Sequence, residues 1–96
     1  PLAQAFVEAV LGDLLRRDRE VGSDLVRTLA AYLDANGNLR RTGEALFVHV
    51  NTVKQRLARI GTIIGDDWRD PEMLFRLRVA LRLHEAGQSV TTHPGA

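Results

Sequence analysis

Residues 39–64 read LRRTGEALFVHVNTVKQRLARIGTII, and this stretch decides the fold. Its second half is amphipathic with the period of an α-helix, because four apolar residues fall on one face: Val53, Leu57, Ile60 and Ile64. Its first half follows Asn38, a residue type that caps helix N-termini well. The stretch therefore predicts a short helix over residues 39–47, a turn at 48–49 and a longer helix over residues 50–64.

The spacing of three residues in this stretch is typical of a helix-turn-helix, in which two helices cross closely. Gly43 supplies a small residue where the second helix passes over the first, although glycine inside a helix costs about 1 kcal/mol relative to alanine. Val48 supplies an inward apolar residue in the turn, and Val53 supplies one in the second helix. Helical hairpins with a small crossing residue also occur in other bundles.

Helical periodicity continues on both sides, and no segment alternates as a strand would. We predict an all-α fold, a bundle of about five helices that contains the helix-turn-helix, with helices at about 2–15, 24–35, 39–47, 50–64 and 71–86. The first helix is expected to bury one face made of Leu2, Phe6, Ala9, Val10 and Leu14. The second is expected to bury Leu25, Leu29, Tyr32 and Leu33, and the fifth Leu74, Leu77, Ala80, Leu81 and His84.

The connections contain recognisable turn and cap residues. Ser23 or Asp24 can cap the second helix, and Asn36-Gly37 ends it with residues that tolerate positive φ. Asp66–Arg69 is predicted as a loop, and Asp70-Pro71 as the start of the last helix.

Three parts of the chain follow from this organisation. Residues 1–20 are predicted to form an amphipathic helix and a solvated charged connector to an upstream region. Residues 21–86 are predicted to form the helix-turn-helix domain, and residues 87–96 a disordered tail.

Positive charge is concentrated in the same central stretch. The whole chain has a net charge of +1, but residues 39–64 hold five bases and one acid, a balance of +4. The remaining seventy residues have a balance of −3. A basic segment in an otherwise acidic chain is typical of nucleic-acid binding, although charge alone also fits an ordinary solvated helix face.

The exposed face of the helix over residues 50–64 is expected to carry amides and cations and no acid. Such side chains can read adenine and guanine in the major groove, and those near the start of the helix reach the bases first. We therefore predict base contacts from Val50, Asn51, Lys54 and Gln55, with Val50 meeting a thymine methyl group. We predict phosphate contacts from Thr52, Arg59, His49 and Arg40.

Several of these residues have a second interpretation. Arg56 borders the apolar stripe, so it either forms an internal salt bridge, with Glu44 as one candidate partner, or contacts phosphate. His49 is favoured as an N-cap or a phosphate contact over a metal ligand. Arg40 and Arg41 either reach the DNA backbone or are solvated charges.

Other classes of function lack support in the sequence. The chain contains no cysteine, so a disulfide scaffold and a thiolate metal site are excluded. We find no nucleophile–base spacing, no glycine-rich phosphate loop and no metal-ligand cluster, and no apolar run near the roughly 18 residues of a membrane span. We expect no enzyme activity, no cofactor, no metal, no membrane association and a cytoplasmic location.

Four segments together resemble a known family. They are LVRTLAAYLD with NGN (residues 25–34 and 36–38), LFVHVNTVKQRLARI (46–60), DP (70–71) and LRVALRL (77–83). In order and spacing they are similar to the C-terminal helix-turn-helix domain of PucR-type (CdaR-like, purine-catabolism and sugar-diacid) bacterial transcription regulators, over about residues 6–85.

The resemblance implies a bacterial regulator with an upstream sensory region, whose C-terminal domain binds double-stranded DNA through Val50–Arg59. We expect sequence-specific binding by a homodimer of the full-length protein, with two recognition helices about 34 Å apart. Three residues depart from the family pattern. Gly43 stands where alanine is more frequent, Gln55 where an aromatic residue is frequent, and Gly61 where a polar helix former is usual. A helical protein-interaction or dimerisation module that does not bind DNA is the alternative.

Overall fold

The computed structural model describes the backbone of residues 1–91 and the side chains of residues 1–88. This part of the chain forms five α-helices and no strand. The helices are α1 (Leu2–Val21), α2 (Leu25–Asp34), α3 (Leu39–Leu46), α4 (Val50–Ile64) and α5 (Pro71–Thr91), with a short 3-10 helix at Asp66–Arg69 between the last two. The predicted all-α bundle with a central helix-turn-helix is confirmed.

One core connects all five helices, and its largest fully buried side chain is Trp68 in the 3-10 helix. Its indole packs edge-on against Tyr32 of α2, with ring centroids 5.8 Å apart. The Arg69 guanidinium lies 4.1 Å from the indole centroid, a cation–π distance. The predicted loop at Asp66–Arg69 is therefore wrong, because the burial of Trp68 orders this segment.

α1 is longer than predicted, and the face that it buries differs in part from the predicted one. Residues 16–20 continue the helix to Val21 instead of forming a solvated connector. Leu11 and Leu14 are fully buried, whereas Leu2 is 88% exposed and Ala9 is also exposed. The predicted buried face was wrong at Leu2 and Ala9, because α1 packs against both α5 and α2 and this tertiary contact selects its inward direction.

The N-terminus of α2 is capped from α1. The carboxylate of Asp18 accepts hydrogen bonds from the backbone N–H groups of Leu25 (2.8 Å) and Val26 (3.0 Å) and from the Ser23 hydroxyl (2.5 Å). Asp24 occupies the N-cap position but makes no side-chain cap bond. The predicted local cap by Ser23 or Asp24 is thus wrong, because Asp18 meets the free N–H groups from one helix away.

The other predicted caps are confirmed. Asn38 Oδ1 accepts a hydrogen bond from the Arg41 N–H at 2.9 Å, and Asn36 and Gly37 have φ values of 51° and 80°. At the other end of the chain, α5 extends to Thr91 and so includes the first residues of the predicted tail. Near this end of α5, Gly87 and Gln88 line one groove with Ala3 and Val7 of α1. Residues 92–96 of the predicted tail lie outside the described part.

Replacement of Asp18 by alanine is expected to destabilise the fold, because the α2 N-terminus loses its cap. We expect a loss of about 1–2 kcal/mol in the free energy of unfolding, measured by chemical denaturation. The matched control is Asp13→Ala, one and a half turns earlier on α1, which removes only an exposed ion pair with Arg16. Surface pairs of this kind contribute about 0–1 kcal/mol. Equal losses in the two variants would contradict the role of Asp18.

Candidate nucleic-acid interface

The helix-turn-helix depends on a very close approach between α3 and the turn that follows it. A Cβ atom at Gly43 would lie 2.7 Å from the carbonyl oxygen of Val48 and 3.6 Å from the backbone nitrogen of Val50. The backbone N–H of Val48 also donates to the carbonyl oxygen of Gly43 at 3.0 Å. The predicted role of Gly43 as the small crossing residue is confirmed.

The packing of α4 determines which of its residues face outward. Val53, Leu57 and Ile60 are at most 3% exposed and form part of the core. The exposed residues of α4 lie on the opposite face, as the apolar spacing predicted, and they are Asn51, Lys54, Gln55, Ala58, Arg59 and Thr62. The predicted rotation of α4 is therefore confirmed, and its exposed face carries amides, cations and no acid.

His49 caps α4, as the first of its two favoured interpretations predicted. Its Nδ1 accepts a hydrogen bond from the Asn51 backbone N–H at 3.0 Å. Because Nδ1 acts as an acceptor, the proton of the neutral ring is on Nε2, which can donate to a phosphate oxygen. Val50 and Thr52, which follow the cap, are half-buried at the start of the helix.

Three of the predicted contact residues line one concavity of about 570 Å³ between α3 and the start of α4. They are Arg40, His49 and Val50, and Phe47 lines it with them. The Arg40 side chain is 85% exposed, and its Nε is 3.9 Å from an oxygen of Glu44. Lys54, Gln55 and Arg59 are exposed further along α4.

Arg56 contacts α2 rather than solvent. Its guanidinium donates to the Thr28 hydroxyl at 3.2 Å and lies 3.8 Å from a carboxylate oxygen of Asp24. The internal interpretation of Arg56 is therefore correct, but the candidate partner Glu44 is wrong, since Glu44 pairs with Arg40. The sequence could not identify Asp24, because the pairing depends on how α4 lies on α2.

Unlike Arg56, the cations on the exposed face of α4 are not paired with other groups of the described residues. Within the described residues, the side chains of Lys54 and Arg59 form no ion pair and no hydrogen bond with the protein. Their charge is directed at solvent without an internal counterion. An exposed, uncompensated pair of cations attracts a polyanion such as the DNA backbone.

Gly61 has a structural role that the sequence did not reveal. It is buried in α4, and a Cβ atom there would lie 3.1 Å from a carboxylate oxygen of Asp66 and 3.6 Å from the Trp68 indole nitrogen. A larger side chain would push against the 3-10 helix. Gly61 thus packs closely against the 3-10 helix.

Two further classes of site receive no support from residues 1–91. No three acids or histidines in the described part lie close enough together to hold a metal ion. None of the described helices combines the length and the apolar character needed to cross a bilayer.

The chain matches the PucR C-terminal helix-turn-helix domain over residues 25–83, from the start of α2 into α5. It is similar to the purine catabolism regulatory protein of Bacillus subtilis, with 37% identity over 78 residues, which are 81% of this chain and 14% of that protein. It is also similar to the carbohydrate diacid regulator of Escherichia coli, with 43% identity over 61 residues, 64% of this chain and 16% of the relative.

A third relative is the DNA-binding transcriptional activator AdeR of Bacillus subtilis, 32% identical over 73 residues, 76% of this chain and 17% of the relative. The chain therefore spans less than a fifth of the length of these three proteins. No solved structure gives a significant match.

Replacement of Gly43 by alanine is expected to destabilise the domain, because the added Cβ meets backbone rather than a movable side chain. Overpacking of this kind costs about 1–3 kcal/mol, more than the roughly 1 kcal/mol that alanine gains in helix propensity. In a thermal melt, Gly43→Val should lower the melting temperature more than Gly43→Ala does. Gly87→Ala is the control, since a Cβ there would have no neighbour within 4 Å, and it should not lower the melting temperature. A stabilised Gly43→Ala variant would contradict the close crossing.

Proposed function

The chain belongs to the family of PucR C-terminal helix-turn-helix domains, and from this membership we propose that it binds double-stranded DNA with α4 in the major groove. It would act as the DNA-binding part of a bacterial transcription regulator. The observation that carries the proposal is the exposed face of α4, which has two amides, two cations without internal partners, and no acid. The family is one of regulator domains rather than enzymes, and a DNA-binding regulator acts in the cytoplasm, where bacterial DNA lies.

We assign base contacts to the first turns of α4. Asn51, Lys54 and Gln55 are exposed there, and their amides and ammonium group match the hydrogen-bonding edges of adenine and guanine. Val50, half-buried beside them, would offer its exposed part to a thymine methyl group. Sequence preference would arise from these four residues.

We assign phosphate contacts to residues around this reading surface. Arg40 lies on α3, His49 can donate through Nε2, and Arg59 is exposed about two and a half turns beyond the start of α4. Thr52, at the half-buried edge of the helix, would donate its hydroxyl to a phosphate oxygen. These contacts would orient the domain on the duplex without selecting a sequence.

We also propose partners for the complete protein. Since this chain spans less than a fifth of each relative named, we propose that an upstream sensory region controls the domain. Two copies of the protein would place their α4 helices about 34 Å apart, in successive major grooves of one face of the duplex.

Binding to DNA should fall steeply with salt if the cations neutralise phosphates. We expect the logarithm of the association constant to fall by about 0.9 per log unit of salt for each phosphate contacted. Arg40 and Arg59 alone thus give a slope of roughly −2. Fluorescence anisotropy with duplexes of randomised sequence and about 30 base pairs, or three helical turns, measures the slope. Absent or salt-independent binding by a folded chain would instead favour a protein-interaction or dimerisation module.

Variants of α4 should separate base contacts from phosphate contacts. Asn51→Ala is expected to relax the preference at particular base pairs in a selection from randomised duplexes, because it removes a base-reading amide. Arg59→Ala is expected to lower the affinity for all duplexes by a similar factor and to reduce the salt slope by about 1. Arg19→Ala removes the same charge from the exposed end of α1 and serves as the control. If Arg59→Ala altered base preference and Asn51→Ala did not, the two assignments would be reversed.

A further inference from the structure

Phe47 is the most exposed large hydrophobic residue in the described part of the chain, with 91% of its surface accessible. It also has a left-handed backbone conformation, with φ 58° and ψ 42°, at the position that ends α3. A bulky residue rarely adopts this conformation, which glycine adopts without steric cost. The fold therefore holds an aromatic ring in solvent at a position where the backbone disfavours it.

The fold uses the backbone of Phe47 and not its ring. The Phe47 N–H donates to the carbonyl oxygen of Glu44 at 3.3 Å, which closes the end of α3. A glycine at this position could make the same bond. Among the described residues the ring is not part of the hydrophobic core, so folding does not bury it.

The surroundings of the ring indicate what it contacts. Phe47 lines the same concavity as Val50, the predicted apolar base contact, and as Arg40 and His49, the predicted phosphate contacts. A duplex that meets these three residues must come close to the ring. The apolar groups that DNA offers at such a place are the thymine methyl group and the faces of the deoxyribose rings.

We propose that Phe47 is a DNA-contacting residue, whose ring packs against the apolar edge of the duplex beside the α4 N-terminus. This inference rests on the proposed function. It adds a residue of the turn to the contact surface and extends the apolar contact of Val50. It also gives the left-handed conformation a role in binding, because this backbone leaves the ring exposed to solvent, where a duplex can contact it.

Substitutions with opposite effects on stability and binding test the proposal. Phe47→Gly and Phe47→Asn suit the left-handed conformation, so the melting temperature should stay unchanged or rise by a few degrees. Affinity for randomised duplexes of about 30 base pairs should fall about 5- to 30-fold through the lost apolar burial. Phe47→Tyr keeps the ring and should retain most of the affinity. Phe75→Ala removes another exposed aromatic ring, 67% exposed on α5, and should leave binding unchanged.

Duplexes in which uracil replaces thymine identify the partner atoms. If the wild-type chain loses more affinity on uracil duplexes than Phe47→Gly does, the ring meets the methyl group, because the contact assigned to Val50 is present in both chains. If uracil lowers the affinity of both chains by the same factor while Phe47→Gly binds both kinds of duplex more weakly than the wild type, the ring meets deoxyribose. Either result supports the proposal.

Three results would overturn it. The Phe47→Gly variant could bind as tightly as the wild type, it could lose stability together with affinity, or it could change only the mass measured by sedimentation. The last result would assign the ring to a contact between copies of the chain. Failure of the wild-type chain to bind any duplex at low salt would instead count against the proposed function itself.

Discussion

The approach of the Val48 carbonyl oxygen to Gly43 is the contact on which the exposed face of α4 depends. With 2.7 Å between that oxygen and the place of a Cβ atom, the turn lies directly on α3. α4 therefore starts beside α3 and continues across α2, where Val53 and Leu57 enter the core. The outward direction of every other α4 side chain follows from that burial, because residues on a helix keep fixed angles to one another. A small residue on one helix thus sets the presentation of amides and cations on the next.

The sequence predicted the elements whose signals are local. Apolar spacing predicted α4 and its exposed face, and Asn38 and His49 were recognised as caps because a cap and its helix are adjacent in the chain. The same holds for the role of Gly43, whose partner, Val48, lies five residues away. The assignments of single residues to bases or phosphates remain predictions, because they depend on the position of a duplex.

Local sequence patterns did not predict the contacts between distant parts of the chain. The inward face of α1 is selected by α5, and the α2 cap comes from Asp18 in the preceding helix. The partner of Arg56 lies more than 25 residues away on α2. Trp68 seemed to belong to a polar loop, since its neighbours are charged, yet its burial creates the 3-10 helix. Each of these features is determined by packing, which periodicity does not encode.

The start of α2 joins two parts of the molecule that the family match separates. The match begins at residue 25, so Asp18 lies outside it, yet Asp18 holds the N–H groups at the first residues inside it. Arg56 of α4 reaches the same end of α2 through Asp24 and Thr28. α1 and the helix-turn-helix are therefore coupled through one helix terminus. Local opening of α1 would release the cap and loosen the support of Arg56, so that amide hydrogens in both regions exchange with solvent as one cooperative unit.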